Sequence, residues 1–382
     1  MRVVFVGGAG AMGSRAVRTA AEFDEFTELV IADLNIAAAK SLAAELGSRV
    51  SAVKFDADRD DPRPLFSGAW GVLSTLGPYT RFGTKIMKAA IESGCQYVDI
   101  NDDWEPTLQA FDLDEAAKAA DVTALIGMGA SPGVSNVLAV KAAAQLDEVH
   151  ELLTGWALVG IASDAGSDHP QAAMLHVVHQ CTGTIRTVES GEWVDVAPLQ
   201  TLPIHYPGIG DVVVRTIGHP EAVTLPRTYP GLQRCVNVMS GPDWYFDYVT
   251  NLMDGVESGR ITADHAAVAM DRTPPRPTDA PRTRRLPPVF AWARGTRDGV
   301  ETIAAAGITR WAPEKMAGAT AVPAAVALRL LARGDVSLRG VVTPEAAVPA
   351  EEFFAALDPH YTEPAGTESS LVELVTTQTV PS

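Results

Sequence analysis

The chain has 382 residues, of which 47% are hydrophobic, and its 47 acidic and 30 basic residues give a formal net charge of −17. This length is enough for roughly two domains, while the acidic balance argues against nucleic acid, which binds through clusters of Lys and Arg. No apolar run reaches the ~18 residues of a membrane span, no signal peptide is visible, and three cysteines are too few for a disulfide framework. We therefore expect a cytoplasmic protein with neither a nucleic-acid nor a membrane partner.

A glycine-rich turn follows the first predicted strand, residues 2–6. Gly8, Gly10 and Gly13 stand in a G-x-G-x-x-G spacing before a predicted helix at 14–23. Such glycines allow a tight turn (Gly8), close approach of a pyrophosphate (Gly10) and close packing of the helix on the strand (Gly13). The start of the helix offers N–H groups and a positive dipole end to the phosphates.

An acidic residue ends the second predicted strand, residues 27–32. Asp33 stands where a carboxylate holds the ribose hydroxyls of a dinucleotide. Leu34 and Asn35 follow it, and neither would neutralise a 2′-phosphate as an arginine does, so NAD is favoured over NADP. The alternative is a glycine-rich turn in an α/β domain that holds no dinucleotide.

Strand and helix patterns alternate over the first 127 residues. Further strands are predicted at 49–55, 71–75, 96–100 and 123–127, and helices at 37–46, 82–93 and 104–119. This alternation predicts a Rossmann-type doubly wound parallel sheet whose ligands lie beyond the carboxyl ends of the strands. The residues predicted to contact the dinucleotide are Gly8, Gly10, Ala11, Met12, Gly13, Asp33, Leu34, Asn35, Asp56, Thr75, Leu76, Gly77 and Pro78.

The pattern changes after residue 148. Alternating runs at 185–196, 212–217, 235–239 and 290–305, two of them interrupted by Ser190-Gly191 and Asp298-Gly299, predict strands joined by hairpins. Such strands favour an α+β second domain with a largely antiparallel sheet.

The predicted organisation has three segments. Residues 1–127 bind the dinucleotide, residues 128–312 form a substrate and dimerisation domain, and residues 313–382 return to the first domain. A proline-rich surface loop is predicted at 273–288, and a strong helix at 319–331 that ends at Gly334.

Three carboxylates cluster at the end of the fifth predicted strand, namely Asp99, Asp102 and Asp103. Carboxylates this close raise each other's pKa, so one could hold a proton near neutrality and act as an acid or base. Equally, Asp102 and Asp103 could cap the following helix, whose first turn favours acidic residues. The two roles are compatible.

Two turns lie at the same edge of the predicted sheet. The turn at 76–79 follows the fourth strand, and the glycine-rich turn at 129–133 follows the sixth. Both suit close backbone approach to a cofactor or substrate. The alternatives are an ordinary strand-to-helix connection and a domain crossover.

The histidines give weaker signals. His176 and His179 share a face of a predicted helix but lack an evident third ligand, so we predict no metal site. His219 and Glu221, separated by Pro220, place a base beside an acid in a fixed turn, which fits either a structural or a catalytic role.

Taken together, these segments resemble the saccharopine dehydrogenase-like family, which includes saccharopine reductase and lysine 6-dehydrogenase. No single piece is specific, and the resemblance rests on their order and spacing. The pieces are VGGAGAMG at 6–13, LGPY at 76–79, YVD at 97–99, Pro132-Gly133 with Asn136, IGHPE at 217–221, TLPR at 224–227 and GVVTPE at 340–345.

The resemblance implies an NAD(P)-dependent oxidoreductase that acts on a C–N bond of an amino acid through an imine. Asp99, Asp102 or His219 would move the nitrogen proton. A small amino-acid or imine substrate would contact Tyr79, Gly129, Ser131, Pro132, Gly133 and Arg227.

Other readings of the sequence stay open: an imine reductase or cyclodeaminase of secondary metabolism, or a non-catalytic NAD-binding regulatory protein. We expect a homodimer. The substrate, the direction of the reaction and the acid or base are not fixed by the sequence.

Overall fold

A computed structural model describes residues 1–157, 172–272, 285–310, 312–362 and 370–378. The chain divides into two compact units. The first unit comprises Met1–Val137 and Arg310–Glu368, and the second comprises Leu138–Thr309 and Ser369–Ser382. The predicted loop at 273–288 lies mostly outside the described residues.

The strands and helices are numbered in chain order. The strands are β1 (Arg2–Val6), β2 (Glu28–Asp33), β3 (Val50–Lys54), β4 (Gly71–Ser74), β5 (Gln96–Asp99), β6 (Thr123–Leu125), β7 (Glu148–Ala157), β8 (Ile185–Glu189), β9 (Glu192–Val196), β10 (Thr201–Tyr206), β11 (Gly210–Ile217), β12 (Arg234–Ser240), β13 (Val289–Arg297), β14 (Val300–Ile308), β15 (Gly340–Val342) and β16 (Val372–Gln378). The helices are α1 (Ala11–Ala20), α2 (Ile36–Leu46), α3 (Arg63–Phe66), α4 (Tyr79–Glu92), α5 (Trp104–Ala110), α6 (Asp114–Ala119), α7 (Val134–Ala143), α8 (Ala172–Gln180), α9 (Glu221–Thr228), α10 (Asp243–Glu257), α11 (Ala263–Asp271), α12 (Lys315–Arg333), α13 (Pro344–Ala347) and α14 (Ala350–Leu357).

The first unit is built on a parallel sheet in the order β15-β6-β5-β4-β1-β2-β3. Its central strands are continuous apolar runs because helices cover both faces, and all four residues from Val3 to Val6 are buried. The strand order reverses at β1, with β2 on one side and β4 on the other, and in sheets of this type ligands bind beyond the strand ends at such a point. The predicted Rossmann-type sheet is confirmed.

Local details of this sheet differ from the expectation. The seventh strand, β15, was not predicted, since only three residues pair with β6. Helix α1 begins at Ala11 rather than at residue 14. The predicted helix at 104–119 is two helices separated by a 3-10 turn at Phe111–Leu113.

The second unit contains a mixed sheet in the order β10-β11-β12-β7-β13-β14-β16, with β8 on β12 and β9 on β8. Only β12 and β7 are parallel among these described pairs, so the expectation of a largely antiparallel sheet is confirmed. Strands β7, β10 and β16 were missed.

This second sheet curls so that β10 contacts β13, which is not its neighbour in the sheet. The indole Nε1–H of Trp292 on β13 donates a hydrogen bond of 2.9 Å to the carbonyl of His205 on β10. The rings of Tyr206 and Phe290 stand edge to face, with centroids 5.9 Å apart. An apolar core, which includes Val214 and Val238, fills the concave face.

The end of the chain does not follow the predicted domain boundaries. The segment 313–382 was expected to return to the first domain as a whole, but its last strand, β16, pairs with β14 of the second unit, with Ile303 opposite Thr377. The open edge of β14 offers N–H and C=O groups that this strand satisfies. The first boundary falls after Val137, inside α7, rather than after residue 127.

Helix α12 is the one described helix that is long and apolar enough to cross a membrane. The expectation that no apolar run reaches this length was therefore wrong for this segment. The helix packs against α1 and α14, and 61% of its most apolar window is buried, as in the core helix of a globular domain. Gly334, with φ of +85°, ends it as predicted.

Candidate active site

In the glycine-rich turn after β1, the residue with a left-handed backbone conformation lies one position earlier than expected. Gly7 has φ of +74°, its N–H donates to the carbonyl of Ala32 and its own carbonyl accepts from the N–H of Gly10. The assignment of the turn to Gly8 was therefore wrong. Gly8 is needed for close packing, because a Cβ there would lie 3.0 Å from Phe5.

Gly10 and Gly13 differ in the space around them. A Cβ on Gly10, which has φ of −71°, would come no nearer than 3.4 Å to the carbonyl oxygen of Gly7. A Cβ on Gly13 would lie 2.2 Å from that oxygen and 2.8 Å from Oγ1 of Thr75. Gly13 is thus required by the fold itself, whereas Gly10 faces open space at the start of α1, where Ala11 is exposed and Met12 half-buried.

Asp33 ties the end of β2 to this turn. One carboxylate oxygen accepts the N–H of Ala9 at 2.9 Å, and the other accepts the N–H of Asn35 at 2.8 Å. Asn35 caps α2 by accepting the N–H of Ala38, and Leu34 is 60% exposed. A half-buried carboxylate therefore stands fixed beside the glycine-rich turn.

The ends of β3 and β4 complete the edge around the turn. Asp56 follows β3, and its carboxylate accepts the N–H of Asp58. Thr75 follows β4, and its hydroxyl donates to the carbonyl of Gly7 at 3.1 Å. Leu76 lies directly behind Gly7, since a Cβ on Gly7 would be 3.2 Å from the Leu76 Cα.

Tyr79 opens α4 after the cis peptide Gly77-Pro78. Its ring is buried, its hydroxyl donates to the carbonyl of Ser74 at 3.0 Å and accepts the N–H of Ile100 at 3.4 Å. Burial raises the pKa of this hydroxyl well above its usual value. The observed contacts link the ends of β4 and β5, and the predicted substrate contact of Tyr79 stays a prediction.

Asp99 is the last residue of β5, and its side chain is buried. One of its oxygens accepts the N–H groups of Asn101 (3.1 Å) and Gly127 (2.7 Å), and the other accepts the hydroxyl of Tyr97 (3.0 Å). Burial raises the pKa of Asp99 to about 6, although these three hydrogen bonds act in the opposite direction. Asp99 is only 3% exposed, and its carboxylate fixes the backbone at Asn101 and Gly127.

Asp102 and Asp103 are half-buried beyond Asp99. Asp103 occupies the N-cap position of α5, but its side chain makes no capping hydrogen bond. The loop is instead held by the side chain of Asn101, whose Oδ1 accepts the N–H of Asp103 and whose Nδ2 donates to Oγ1 of Thr107. The capping interpretation is therefore wrong for Asp103.

The turn after β6 is fixed by side chains that are distant in sequence. The N–H of Gly129 donates to the carbonyl of Pro132, and that of Gly133 donates to Oδ1 of Asn136. The amide of Asn136 in turn donates to Oε2 of Glu345 at 2.8 Å, and both side chains are buried. Sequence reasoning missed this pair, although both residues lie in pieces that carry the family resemblance. Ser131 is half-buried in the same turn.

The remaining predicted site residues belong to the second unit. His219 is 2% exposed, and its Nδ1 lies 3.1 Å from Oε2 of the fully buried Glu221. Arg227 is exposed in the last turn of α9. On α8, His176 is half-buried and His179 exposed.

Comparison with known proteins agrees with this geometry. Residues 3–125 match the family model described as the saccharopine dehydrogenase NADP binding domain. A curated relative, carboxyaminopropylagmatine dehydrogenase of Synechocystis sp., is 27% identical over 278 residues, which span 68% of this chain and 67% of that enzyme. The chain is therefore similar to the saccharopine dehydrogenases, and the likeness is most direct in residues 3–125.

Two solved structures share the fold. Saccharopine dehydrogenase (L-Glu forming) of Saccharomyces cerevisiae matches with a TM-score of 0.63 at 16% identity, over 98% of this chain and 99% of that one. Homospermidine synthase of Legionella pneumophila, solved with NAD, matches with a TM-score of 0.59 at 12% identity, over 99% of this chain and 91% of that one.

The observed residues fit a nicotinamide dinucleotide. The first turn of α1 has no side-chain cap, its amide groups lack intrahelical acceptors, and the open side of Gly10 leaves room for a pyrophosphate beside them. The chain is thus an NAD(P)-binding oxidoreductase that is similar to the saccharopine dehydrogenases.

A pair of alanine substitutions separates cofactor contact from folding. Gly10→Ala should leave the melting temperature unchanged, because its Cβ has space, but should weaken dinucleotide binding by at least about tenfold, because the methyl occupies the pyrophosphate position. Gly13→Ala should destabilise the fold by about 1–3 kcal/mol through overpacking. Thermal melts and dinucleotide titrations measure both effects, and equal loss of stability in the two variants would contradict the assignment.

Asp99→Asn tests the buried carboxyl. The raised pKa means that folded Asp99 keeps its proton up to about pH 6, whereas the unfolded carboxyl loses it near pH 4. The stability of the wild type should therefore fall, relative to that of the variant, by about 2 kcal/mol as pH rises from 4 to 7. Denaturant unfolding across this range measures the difference. The exposed control Asp112→Asn should show no such trend, and a flat Asp99→Asn difference would refute the shift.

Proposed function

We propose that this protein is an NAD-dependent dehydrogenase that oxidises or reduces a C–N bond of an amino-acid-like substrate through an imine. The similarity to known proteins supports the reaction class, since the curated relative is a carboxyaminopropylagmatine dehydrogenase and residues 3–125 match the saccharopine dehydrogenase NADP binding domain. The observation that carries the cofactor assignment is the fixed carboxylate of Asp33 beside the glycine-rich turn.

The hydrogen bonds of Asp33 support NAD in particular. Because its two oxygens accept the N–H groups of Ala9 and Asn35, the carboxylate cannot turn away from a ligand without losing both bonds. A 2′-phosphate would meet this negative charge, whereas a 2′-hydroxyl can donate to it. The neighbouring Leu34 and Asn35 offer no positive charge to offset a phosphate.

The two predicted turns have complementary roles in this proposal. The nicotinamide, when bound, exchanges a hydride with the substrate carbon. The backbone after β4, braced by Thr75, and the turn at 129–133, braced by Asn136, hold the reactants in register. Asp99 fixes the position of the second turn through the N–H of Gly127.

Proton transfer to or from the substrate nitrogen needs an accessible acid or base. Asp99 is buried and accepts three hydrogen bonds, so we assign it a positioning role in place of the catalytic one first considered. Asp102, which is half-buried, remains the proposed proton carrier. His219 is as buried as Asp99 and its Nδ1 faces Glu221, so it is the less favoured candidate and the variants below compare the two.

Cofactor choice is tested at Asp33. Asp33→Ala removes the charge and the hydrogen bond from Ala9, so affinity for NAD should fall by about tenfold or more while affinity for NADP rises. Asp33→Asn, which keeps one acceptor oxygen, is the matched control and should lose less NAD affinity. Fluorescence titrations with both reduced cofactors give the ratios, and an unchanged preference in Asp33→Ala would rule out this role.

The reaction is tested by incubating the protein with NAD or NADP and a panel of amino acids, ω-amino acids and opines, and recording absorbance of the reduced cofactor. Asp102→Asn and His219→Gln are compared with the exposed control Asp112→Asn. Turnover should fall by about a hundredfold or more in the variant that lacks the proton carrier, with dinucleotide binding intact. Absence of turnover with every substrate, in both directions and with both cofactors, would refute the proposal.

A further inference from the structure

Helix α12 begins at the edge of the parallel sheet where the strands end. Near its start, Thr320 lies against the turn after β6, since a Cβ on Gly129 would be 3.1 Å from Cγ2 of Thr320. Further along, Leu328 lies against the other end of the sheet, 3.7 Å from where a Cβ on Gly71, the first residue of β4, would stand. The helix therefore runs antiparallel to the strands, and the residues that precede Thr320 stand at the carboxyl edge.

The same end of α12 is tied to α1. Nη1 of the half-buried Arg15 lies 3.3 Å from Oε1 of Glu314, the residue before α12. Further along, Nε of Arg329 lies 2.9 Å from Oε1 of Glu25, which follows α1. Helices α1 and α12 thus begin at the same edge. Residues 314–320 lie between the helix that follows the glycine-rich turn and the turn at 129–133.

The backbone at the start of α12 is strained. Glu314 and Lys315 have φ of +57° and +53°, in the left-handed region that L-residues rarely adopt. Within the described parts of the chain, no other neighbouring pair without a glycine has this conformation. Such strain persists where surrounding contacts enforce it, and it concentrates at sites that hold a ligand. A glycine would adopt it at no steric cost, so two long charged side chains here need a reason.

The charge around the glycine-rich turn supplies this reason. No basic residue occurs from Gly7 to Ser14, which form the turn and the start of α1. Arg15 is paired with Glu314, and Asp33 places a negative charge beside the turn. A pyrophosphate brings further negative charge to this edge of a chain whose net charge is −17. A cation close to the turn offsets the repulsion.

We propose that Lys315 contacts the pyrophosphate of the bound dinucleotide. Its side chain is exposed, and helical side chains tilt toward the N-terminus of their helix, which here is the edge where the cofactor binds. Arg15, which lies beside Glu314, is about 6 Å along α1 from Ala11, a gap that the flexible stem of a lysine spans. Glu314, held by Arg15, positions Lys315. This role rests on the dinucleotide site of the proposed function.

The contact is tested with two ligands, NADH and ADP-ribose, which share the pyrophosphate although ADP-ribose lacks the nicotinamide. Lys315→Ala should weaken binding of both by at least about fivefold in about 0.02 M salt, and by less in about 0.5 M salt, which screens exposed charges. Lys315→Arg keeps the charge and should bind both within about twofold of the wild type. Fluorescence of NADH measures its affinity, and displacement of NADH measures that of ADP-ribose.

Two further variants separate this contact from a structural role. Lys315→Gly removes the charge and relieves the backbone strain. The melting temperature of the cofactor-free protein should therefore stay the same or rise, while affinity falls as in Lys315→Ala. Lys88→Ala is the matched control, because it removes an exposed lysine of α4 that is paired with Glu92. This control should leave the affinity for both ligands unchanged.

The role of Lys315 is refuted by any of three results. Wild-type affinity for both ligands in Lys315→Ala would place the residue away from the pyrophosphate. A loss of equal size at both salt concentrations would exclude an electrostatic contact. A melting temperature that falls together with affinity in Lys315→Gly would assign the lysine to the fold. Failure of the wild type to bind any dinucleotide would instead refute the cofactor assignment itself, so the two failures are distinguishable.

Discussion

Backbone N–H groups at the ends of parallel strands lose their partners in the sheet, and buried ones must find other acceptors. Two carboxylates meet this requirement in the first unit. Asp33 accepts the N–H groups of Ala9 and Asn35, and Asp99 accepts those of Asn101 and Gly127. These four hydrogen bonds brace the loops of the nucleotide-binding edge, together with those of Thr75 and Asn136.

The two carboxylates differ in what else they can do. Asp33 is half-buried and remains within reach of a ligand, so the residue that braces the turn can also select the cofactor. Asp99 is buried, and its raised pKa reflects the free energy of holding a carboxylate away from water. A charge of this kind is retained where it positions backbone groups, which explains why a residue in a family motif need not take part in the chemistry.

The second unit differs from the first in how its strands are paired. Its sheet is largely antiparallel, and the hydrogen bond from Trp292 to His205 joins two strands, β13 and β10, that are not neighbours in the sheet and that both contribute to its apolar core. One end of this sheet carries charged side chains that alternate in sign, since Arg234 and Arg294 both pair with Glu151, and Arg294 also pairs with Glu301.

The sequence by itself determined the Rossmann-type sheet, the dinucleotide motif and the acidic residue after β2, because local periodicity and glycine spacing carry this information. Only the tertiary structure decided that Gly7, not Gly8, takes the left-handed conformation, and that Asn136 bonds to Glu345, a residue 209 positions away. The same holds for β15 and β16, short strands whose partners lie far along the chain. Long-range pairing leaves no local pattern, and so the glycine-rich turn could be recognised from the chain while the contacts that hold it could not.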